Sequence, residues 1–246
     1  MKSKRRFQDH VDSFVAVKRL AGDAPAVRDA RTHYRARVAT PEPDDQVFKS
    51  GEHSRKIGKL VTKGRWAGMP IFTLTLEERA TCPRDCSHWT TCFGNKMNWS
   101  TRWAAGPALE RAIECGLAEL SAAYPNGYVI RLHVLGDFYS TAYVDFWAAQ
   151  LNRHRALRIF GYTARDPEGD PIGRQLDAIS RARWDRFAIR FSNRWRGERS
   201  ALTLWRPGRV PASAGIVCPA QTGRSECCGT CGLCWNSRAN IFFQLH

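Results

Sequence analysis

The sequence predicts an α/β protein with a largely parallel sheet, on three observations. Strand-like and helix-like segments alternate from about residue 70 to residue 193, and repeated βα units of this kind build parallel sheets. At 246 residues with 43% hydrophobic composition, the chain can bury the core of such a domain. The units number fewer than eight, which favours a partial (βα) barrel, with a doubly wound sheet as the alternative.

The first part of the pattern contains two strands and a helix. Ile71–Leu76 alternates between two faces, as a half-buried strand does. Pro107 suits the first turn of a helix with apolar residues at helical spacing, and Tyr124 followed by Pro-Asn-Gly ends it. Tyr128–Leu135 alternates again and is predicted as the second strand.

The second part adds two helices and further strands. Ser140 can cap the next helix, and Asp170 before a proline begins the helix after it. Strands are predicted at Arg158–Thr163 and Phe187–Asn193, with shorter ones at 201–205 and 214–217. The carboxyl ends of such strands form the edge where α/β proteins carry their functional loops.

The chain divides into three regions. We predict a basic N-terminal extension at 1–68, the partial barrel at 69–213 and a C-terminal cysteine-rich, metal-binding segment at 214–246. The N-terminal residues are basic but lack the apolar centre of a signal peptide, which predicts a cytoplasmic protein. No apolar stretch approaches the roughly 18 residues of a spanning helix, so no membrane segment is expected.

The charge predicts a polyanionic partner. The chain carries 38 Lys and Arg against 23 Asp and Glu, a formal charge of +15. Nucleic acid or a nucleotide is the first expectation and an anionic membrane the second. The segment Arg181–Arg199 interleaves arginines with Trp184, Phe191 and Trp195. Such a run suits phosphate contact with base stacking, although many such runs are only solvated faces.

Clustered cysteines are the strongest signal in the sequence. In a reducing compartment, closely spaced thiols indicate metal or iron–sulfur ligands rather than disulfides. The first cysteine group consists of Cys82, Cys86 and Cys92, in one loop after the first predicted strand. Three thiolates could hold a four-iron cluster with one open iron, whereas two thiolates with two other ligands could hold zinc. His88 is a candidate fourth ligand.

The second cysteine group consists of Cys218, Cys228, Cys231 and Cys234. A C-x-x-C-x-x-C run with a remote Cys-Pro is typical of ferredoxin-type [4Fe–4S] centres. A zinc knuckle is the alternative, and it could use Cys227 in place of Cys218. One of these thiols could instead complete the first cluster. Cys115, within an apolar helical pattern, is interpreted as a small core residue.

Polar residues interrupt two of the predicted strands. Alternation places Arg131 and His133 on one face of the second strand, opposite its apolar face, and Arg190 on the matching face of a later strand. If the apolar faces pack against helices, these three side chains line the barrel interior. The alternative is a satisfied buried network or a solvated sheet face.

A cysteine loop after strand one, followed by the Gly-Asp turn of LGDFYS after strand two, resembles the radical S-adenosylmethionine superfamily. The resemblance implies a [4Fe–4S] cluster on the first cysteine group, whose open iron chelates S-adenosylmethionine. It implies that Gly136 and Asp137 contact the amino group of that cofactor, and that Arg131, His133 and Arg190 face a substrate. The cysteine spacing is three then five residues, where three then two is usual. Alternatively, Asp137 caps the following helix.

The chain is also similar to the phage "gene 88 product" family, over about Lys56 to Trp235. The similarity lies in the segments KIGKL, GMPIFTLTLEERATCP, RLHVLGDFYS and CGTCGLCW. That similarity implies no particular reaction. We therefore expect an iron–sulfur enzyme with one or two [4Fe–4S] clusters and S-adenosylmethionine, acting on a nucleic acid or nucleotide. The alternative is a non-enzymatic nucleic-acid-binding phage protein stabilised by iron–sulfur or zinc, and a third hypothesis is a structural or host-interaction protein.

Overall fold

A computed structural model of the chain describes residues 10–11, 17–194, 197–211 and 213–245. The strands are β1 (His10–Val11), β2 (Val38–Ala39), β3 (Lys49–Ser50), β4 (Ile71–Thr73), β5 (Arg102–Trp103), β6 (Tyr128–Leu132), β7 (Leu157–Thr163), β8 (Phe187–Ser192), β9 (Ser200–Leu204), β10 (Gly208–Arg209), β11 (Ile216–Val217) and β12 (Ile241–Gln244). The helices are α1 (Pro25–Arg28), α2 (Pro107–Ala123), α3 (Thr141–Arg153), α4 (Pro171–Ala182), α5 (Cys228–Cys231) and α6 (Leu233–Asn236).

One open, mixed sheet organises the molecule. Its eight strands follow the order β11–β12–β9–β8–β7–β6–β4–β3. The edge strand β3 runs antiparallel to β4, and the other neighbours pair in parallel. The α/β class and the parallel strands are therefore confirmed, and the sheet does not close into a barrel. It contains strands from all three regions of the sequence.

The three long helices α2, α3 and α4 pack on one face of this sheet. Their apolar residues share a core with alternate strand residues, Tyr128, Ile130, Leu132, Ile159, Phe187, Ile189 and Phe191. A doubly wound sheet needs long helices on both faces, and over the described ranges all three lie on one. None of the helices in those ranges has the length and apolar character needed to cross a bilayer.

The opposite face, which we call the interior face, is covered by two segments, around residues 56–66 and 218–240. Trp66 stacks on Trp235 at 5.2 Å between ring centroids, and Trp235 packs against Phe160 of β7 at 4.7 Å. The segments also bond to each other, because the Cys228 N–H donates to the Lys56 carbonyl at 2.8 Å. The cysteine-rich region is thus part of the core of the protein.

Helix boundaries follow local signals. The helix α2 begins at Pro107, as predicted. Ser140 Oγ accepts a hydrogen bond from the Tyr143 N–H at 3.0 Å and caps α3. Asp170 Oδ1 accepts from the Ile172 N–H at 2.9 Å and caps α4. These side chains satisfy backbone donors that a helix start leaves without partners.

Candidate metal centres

The first cysteine group lies in the loop that follows β4, at the carboxyl edge of the sheet. Its three thiols are free and partly buried. Burial raises the pKa of Cys82, and the charges of the nearby Cys92 and Cys86 raise it further. The backbone N–H groups of residues 79, 88 and 94 donate to the sulfurs of Cys82, Cys86 and Cys92, respectively. The structure therefore places the three predicted ligands in one loop, within range of one another's charges.

Burial keeps these thiols protonated at neutral pH. It raises the pKa of Cys86 to about 11 and the pKa of Cys92 to about 12. The thiolate is the form that binds metal, so metal binding at this loop would displace protons. The backbone N–H donors act in the opposite direction and favour the thiolate.

Buried charges that sequence reasoning missed anchor this loop. Arg102 Nε lies 2.7 Å from Glu78 Oε2, with both side chains fully buried, and Arg102 also donates to the Gly94 carbonyl at 3.1 Å. Arg79 donates to Asn95 Oδ1 at 2.5 Å. The available signal was the Glu-Glu-Arg run between a buried strand and the first cysteine, since buried charges require partners.

The Gly136–Asp137 turn lies against the first cysteine loop. Gly136 has a φ of +82°, and a Cβ there would stand 2.6 Å from both Leu76 Cβ and Thr81 Oγ1. Glycine is therefore required for the turn to approach so closely. The Asp137 N–H donates to Thr81 Oγ1 at 3.1 Å, and the charge of Asp137 raises the pKa of Cys82.

The Asp137 carboxylate ties the ends of β6 and β7 together. It accepts three hydrogen bonds of 2.7 Å, from the Phe138 N–H, the Thr163 hydroxyl and the Ala164 N–H. Burial raises its pKa to about 6, against the effect of these donors. The interpretation of Asp137 as a helix cap is wrong, because Ser140 caps α3. A carboxylate has about four acceptor positions, and these hydrogen bonds use three of them.

The second cysteine group surrounds a single cavity against the interior face. All four cysteines line this small cavity, with Trp235 and Ile241 also in its wall. Backbone N–H groups again donate to sulfur, from residues 220 and 221 to Cys218 and from residue 233 to Cys231. Tyr162 Oη lies 2.8 Å from Cys234 Sγ, within hydrogen-bonding distance. Burial raises the pKa of Cys218 to about 12.

Two cations lie beside this cavity. Burial lowers the pKa of Lys56, and the charges of Cys218 and Cys228 raise it. Arg131 of β6 is also close to Cys228, and its guanidinium lies 4.4 Å from the centre of the Tyr162 ring. Because positive charge here faces several thiols, the cavity suits a centre with net negative charge.

Arg190 of β8 holds the second cysteine loop. It is fully buried and donates to the carbonyls of Cys234 at 3.0 Å, Ala239 at 2.8 Å and Leu233 at 3.2 Å. The prediction that Arg131 and Arg190 lie on the face opposite the helices is confirmed. Their surroundings are the satisfied buried network of the alternative interpretation, and Arg190 is a positioning residue.

His133 does not share the face of Arg131, so that prediction is wrong. Regular strand alternation ends with β6 at Leu132, and the His133 ring packs on the helix side, 4.9 Å from Phe138. His133 Nε2 lies 3.2 Å from the Tyr143 hydroxyl. Burial, with a smaller effect of Arg131, lowers its pKa to about 3, so the ring is neutral.

The arginine-rich segment does not form an exposed stacking surface over its described residues. Trp184 and Phe191 are buried in the two cores. Arg199 is 1% exposed and donates to Asp177 Oδ1 at 2.8 Å. Trp195 and Arg196 lie outside the described residues.

Two other sequence interpretations have a clear outcome. His88, the candidate fourth ligand, has Nε2 2.8 Å from Thr203 Oγ1 and stacks its ring on Trp205, so these contacts of its side chain are to β9 and the residue after it and not to the three cysteines. Cys115 is exposed on α2, and its assignment to the core is wrong.

No protein-family model, curated protein or solved structure matches the chain. In the described part of the chain, no three His, Cys, Asp or Glu side chains are arranged to hold a single metal ion.

Proposed function

We propose that the protein is an iron–sulfur protein of radical S-adenosylmethionine-like type that acts on a nucleic acid or nucleotide. The observation that carries the proposal is the single cavity lined by all four cysteines of the second group. Two further features support the resemblance of this sheet to the partial barrel of the radical S-adenosylmethionine superfamily. The strands β4, β6, β7, β8 and β9 are parallel neighbours in chain order, and the long helices pack on one face.

The second cysteine group fits an auxiliary [4Fe–4S] cluster. Four thiolates are the usual ligand set of such a cluster, and hydrogen bonds to the sulfurs tune it. The backbone donors to Cys218 and Cys231 supply such bonds, and Lys56 and Arg131 offset its negative charge. Zinc accepts the same thiolates and is the alternative occupant.

The first cysteine group fits a cluster with one iron open to S-adenosylmethionine. Its three thiols lie at the carboxyl edge of the sheet, against the Gly136–Asp137 turn. When bound, a reduced cluster supplies the electron for cleavage of S-adenosylmethionine. Asp137 would accept a hydrogen bond from the amino group of that cofactor. Arg165, which donates to the Phe138 and Thr81 carbonyls at 2.9 Å each, holds the two loops together.

One observation favours a second candidate, a non-enzymatic, metal-stabilised nucleic-acid-binding protein. The second cysteine group belongs to the segment that covers the interior face, where Cys218 and Cys234 share a core with Trp235. A metal at that position would stabilise the fold whether or not the protein is an enzyme.

Metal analysis tests the proposal and separates the two candidates. Anaerobically purified protein should be brown, with acid-labile sulfide and more iron than zinc. Changing Cys82, Cys86 and Cys92 together to Ala should remove about half of the iron, because each cluster holds about four irons. Colourless protein with stoichiometric zinc and no sulfide would overturn the enzyme proposal. Complete iron loss from a folded triple variant would mean that the two groups share one centre.

Calorimetry tests the role assigned to Asp137. Asp137→Asn should weaken S-adenosylmethionine binding by roughly tenfold or more, because a charge-assisted hydrogen bond is worth about 1.5–3 kcal/mol. Thr163→Val is the matched control, since it removes a hydrogen bond to Asp137 and keeps the carboxylate. Reduced native protein should also cleave the cofactor slowly to 5′-deoxyadenosine and methionine. Equal losses of S-adenosylmethionine affinity in the two variants would mean that Asp137 only connects the ends of the strands and does not contact the cofactor.

A further inference from the structure

An arginine-lined cleft lies at the edge of the sheet opposite the first cysteine group. The helices α3 and α4 end there, and the strands β7 and β8 begin there. The cleft is lined by Asn152, Arg155, Arg183, Asp185 and Arg186. Its position at the amino ends of the strands separates it from the loops that carry the candidate chemistry.

The arginines of this cleft are held in different ways. Arg186 donates to the Leu151 carbonyl at 2.7 Å and to the His154 carbonyl at 2.8 Å, which fixes its guanidinium. Arg183 donates to Asn152 Oδ1 at 2.5 Å. Arg155 is exposed. The cleft therefore combines an anchored cation with a cation exposed to solvent.

Positive charge in the cleft is not balanced. The pKa of Arg186 is lowered by burial and then by the charges of Arg158, Arg183 and Arg155, with Asp185 as the only opposing charge in that set. Among the described residues, none of these four arginines forms an ion pair, whereas the neighbouring Arg153 lies 3.7 Å from Glu114. A bound anion would relieve this mutual repulsion.

We propose that this cleft binds the phosphodiester backbone of a nucleic acid. Guanidinium groups bind phosphate well, and backbone contacts position a nucleic acid without reading its sequence. No aromatic side chain of the described residues lines the cleft, so binding should be insensitive to base identity. The large exposed apolar side chains that would favour a membrane surface lie elsewhere, at Leu60, Phe93, Trp99, Tyr124 and Trp205.

This inference rests on the nucleic-acid part of the proposed function. It assigns nucleic-acid binding to the edge of the sheet where the strands begin, and the candidate chemistry to the carboxyl edge. A mononucleotide has a single phosphate and no flanking backbone, so it should bind this cleft much more weakly than an oligomer.

Fluorescence anisotropy with a labelled single-stranded RNA oligomer tests the inference. The double variant Arg155→Ala, Arg183→Ala should bind more weakly and should flatten the slope of log K against log salt by about 1.4, since each phosphate contact contributes about 0.7. The control Arg111→Ala, Arg206→Ala removes the same charge from exposed positions elsewhere. Arg155→Glu, whose side chain is exposed, should weaken binding without risk to folding.

An equal change of slope in the cleft and control variants would overturn the inference. Binding to phosphatidylserine vesicles, with none to the oligomer, would also overturn it and would indicate a membrane surface. Iron content should be the same in native and cleft variants, so the test leaves the cluster proposal to its own experiments.

Discussion

Single residues set the electrostatics of both candidate centres. Tyr162 is the clearest example, because its hydroxyl lies 2.8 Å from the Cys234 sulfur and its ring lies under the Arg131 guanidinium. When Cys234 is a thiolate, only Tyr162 can donate in this pair. The side chain therefore adds a hydrogen bond to a proposed cluster ligand.

Tyr162→Phe should make the reduction potential of the second cluster more negative. A hydrogen bond to the ligand sulfur stabilises the more negative, reduced state. A difference of about 1 kcal/mol between the two states corresponds to about 40 mV for one electron. Redox titration followed by electron paramagnetic resonance measures the shift. The exposed Tyr124→Phe is the control, and an unchanged potential in Tyr162→Phe would contradict the assignment.

His133 makes stability depend on pH. Its pKa falls from 6.5 to about 3 in the folded protein, so the unfolded chain binds a proton that the folded chain does not. Stability therefore falls as the pH drops below 6.5, by about 1.4 kcal/mol per pH unit at most. His133→Phe should remove this part of the pH dependence, as measured by urea unfolding between about pH 7 and pH 5.

The exposed His33→Phe provides the comparison for His133→Phe. It should leave the pH dependence of unfolding close to that of the native protein. Parallel stability curves for native protein and His133→Phe would show that folding does not lower the pKa of His133.

At the scale of elements, features set by local signals could be predicted from the sequence, and features set by long-range contacts could not. The boundaries of α2, α3 and α4 could be predicted because proline and the capping side chains of Ser140 and Asp170 act within one turn. The strand predicted at Ile71–Leu76 is regular only to Thr73. The inner strand β12 was not predicted, because its neighbours β9 and β11 are distant in sequence and supply its hydrogen bonds.

Gly229→Ala should disrupt the second cysteine loop. A Cβ at this position would lie 2.2 Å from the Leu60 carbonyl oxygen, so the turn would have to move away from the segment it packs against. The Gly229 carbonyl also accepts from the Thr62 N–H at 3.1 Å. We expect loss of about half of the iron. The control is Gly22→Ala, because a Cβ at that position would have no atom within 4 Å, and this variant should keep its full iron content. Full iron content in Gly229→Ala as well would contradict the packing argument.

At the scale of the whole molecule, the second cysteine group and the sheet share one core. The two cysteine groups could be predicted from their spacing, because short loops keep neighbouring thiols close. The partners of the second group, Lys56, Arg131 and Tyr162, come from distant parts of the chain and could not be predicted as a group. Periodicity placed Arg131 and Arg190 on the correct face but failed for His133, where the strand ends.

Removal of iron should destabilise the whole protein. Cys218, Cys228 and Cys234 of the second cysteine group share the interior core with Trp66 and Trp235, so the proposed cluster would bind only when that core is assembled. Ligand binding at about a thousand times its Kd contributes about 4 kcal/mol, which corresponds to about 8–16 °C in Tm at this size. Thermal unfolding followed by tryptophan fluorescence measures the difference. Equal Tm values with and without iron would contradict this coupling.

The inner position of β12 has a consequence for biosynthesis. This strand lies between β9 and β11 and pairs with both, so neither contact can form until residues 241–244 have left the ribosome. Until then, β9 exposes an unpaired edge, which is a site for aggregation. Iron delivery to the second cysteine group should therefore follow translation of this segment, and premature termination just before it should produce an insoluble, iron-poor chain.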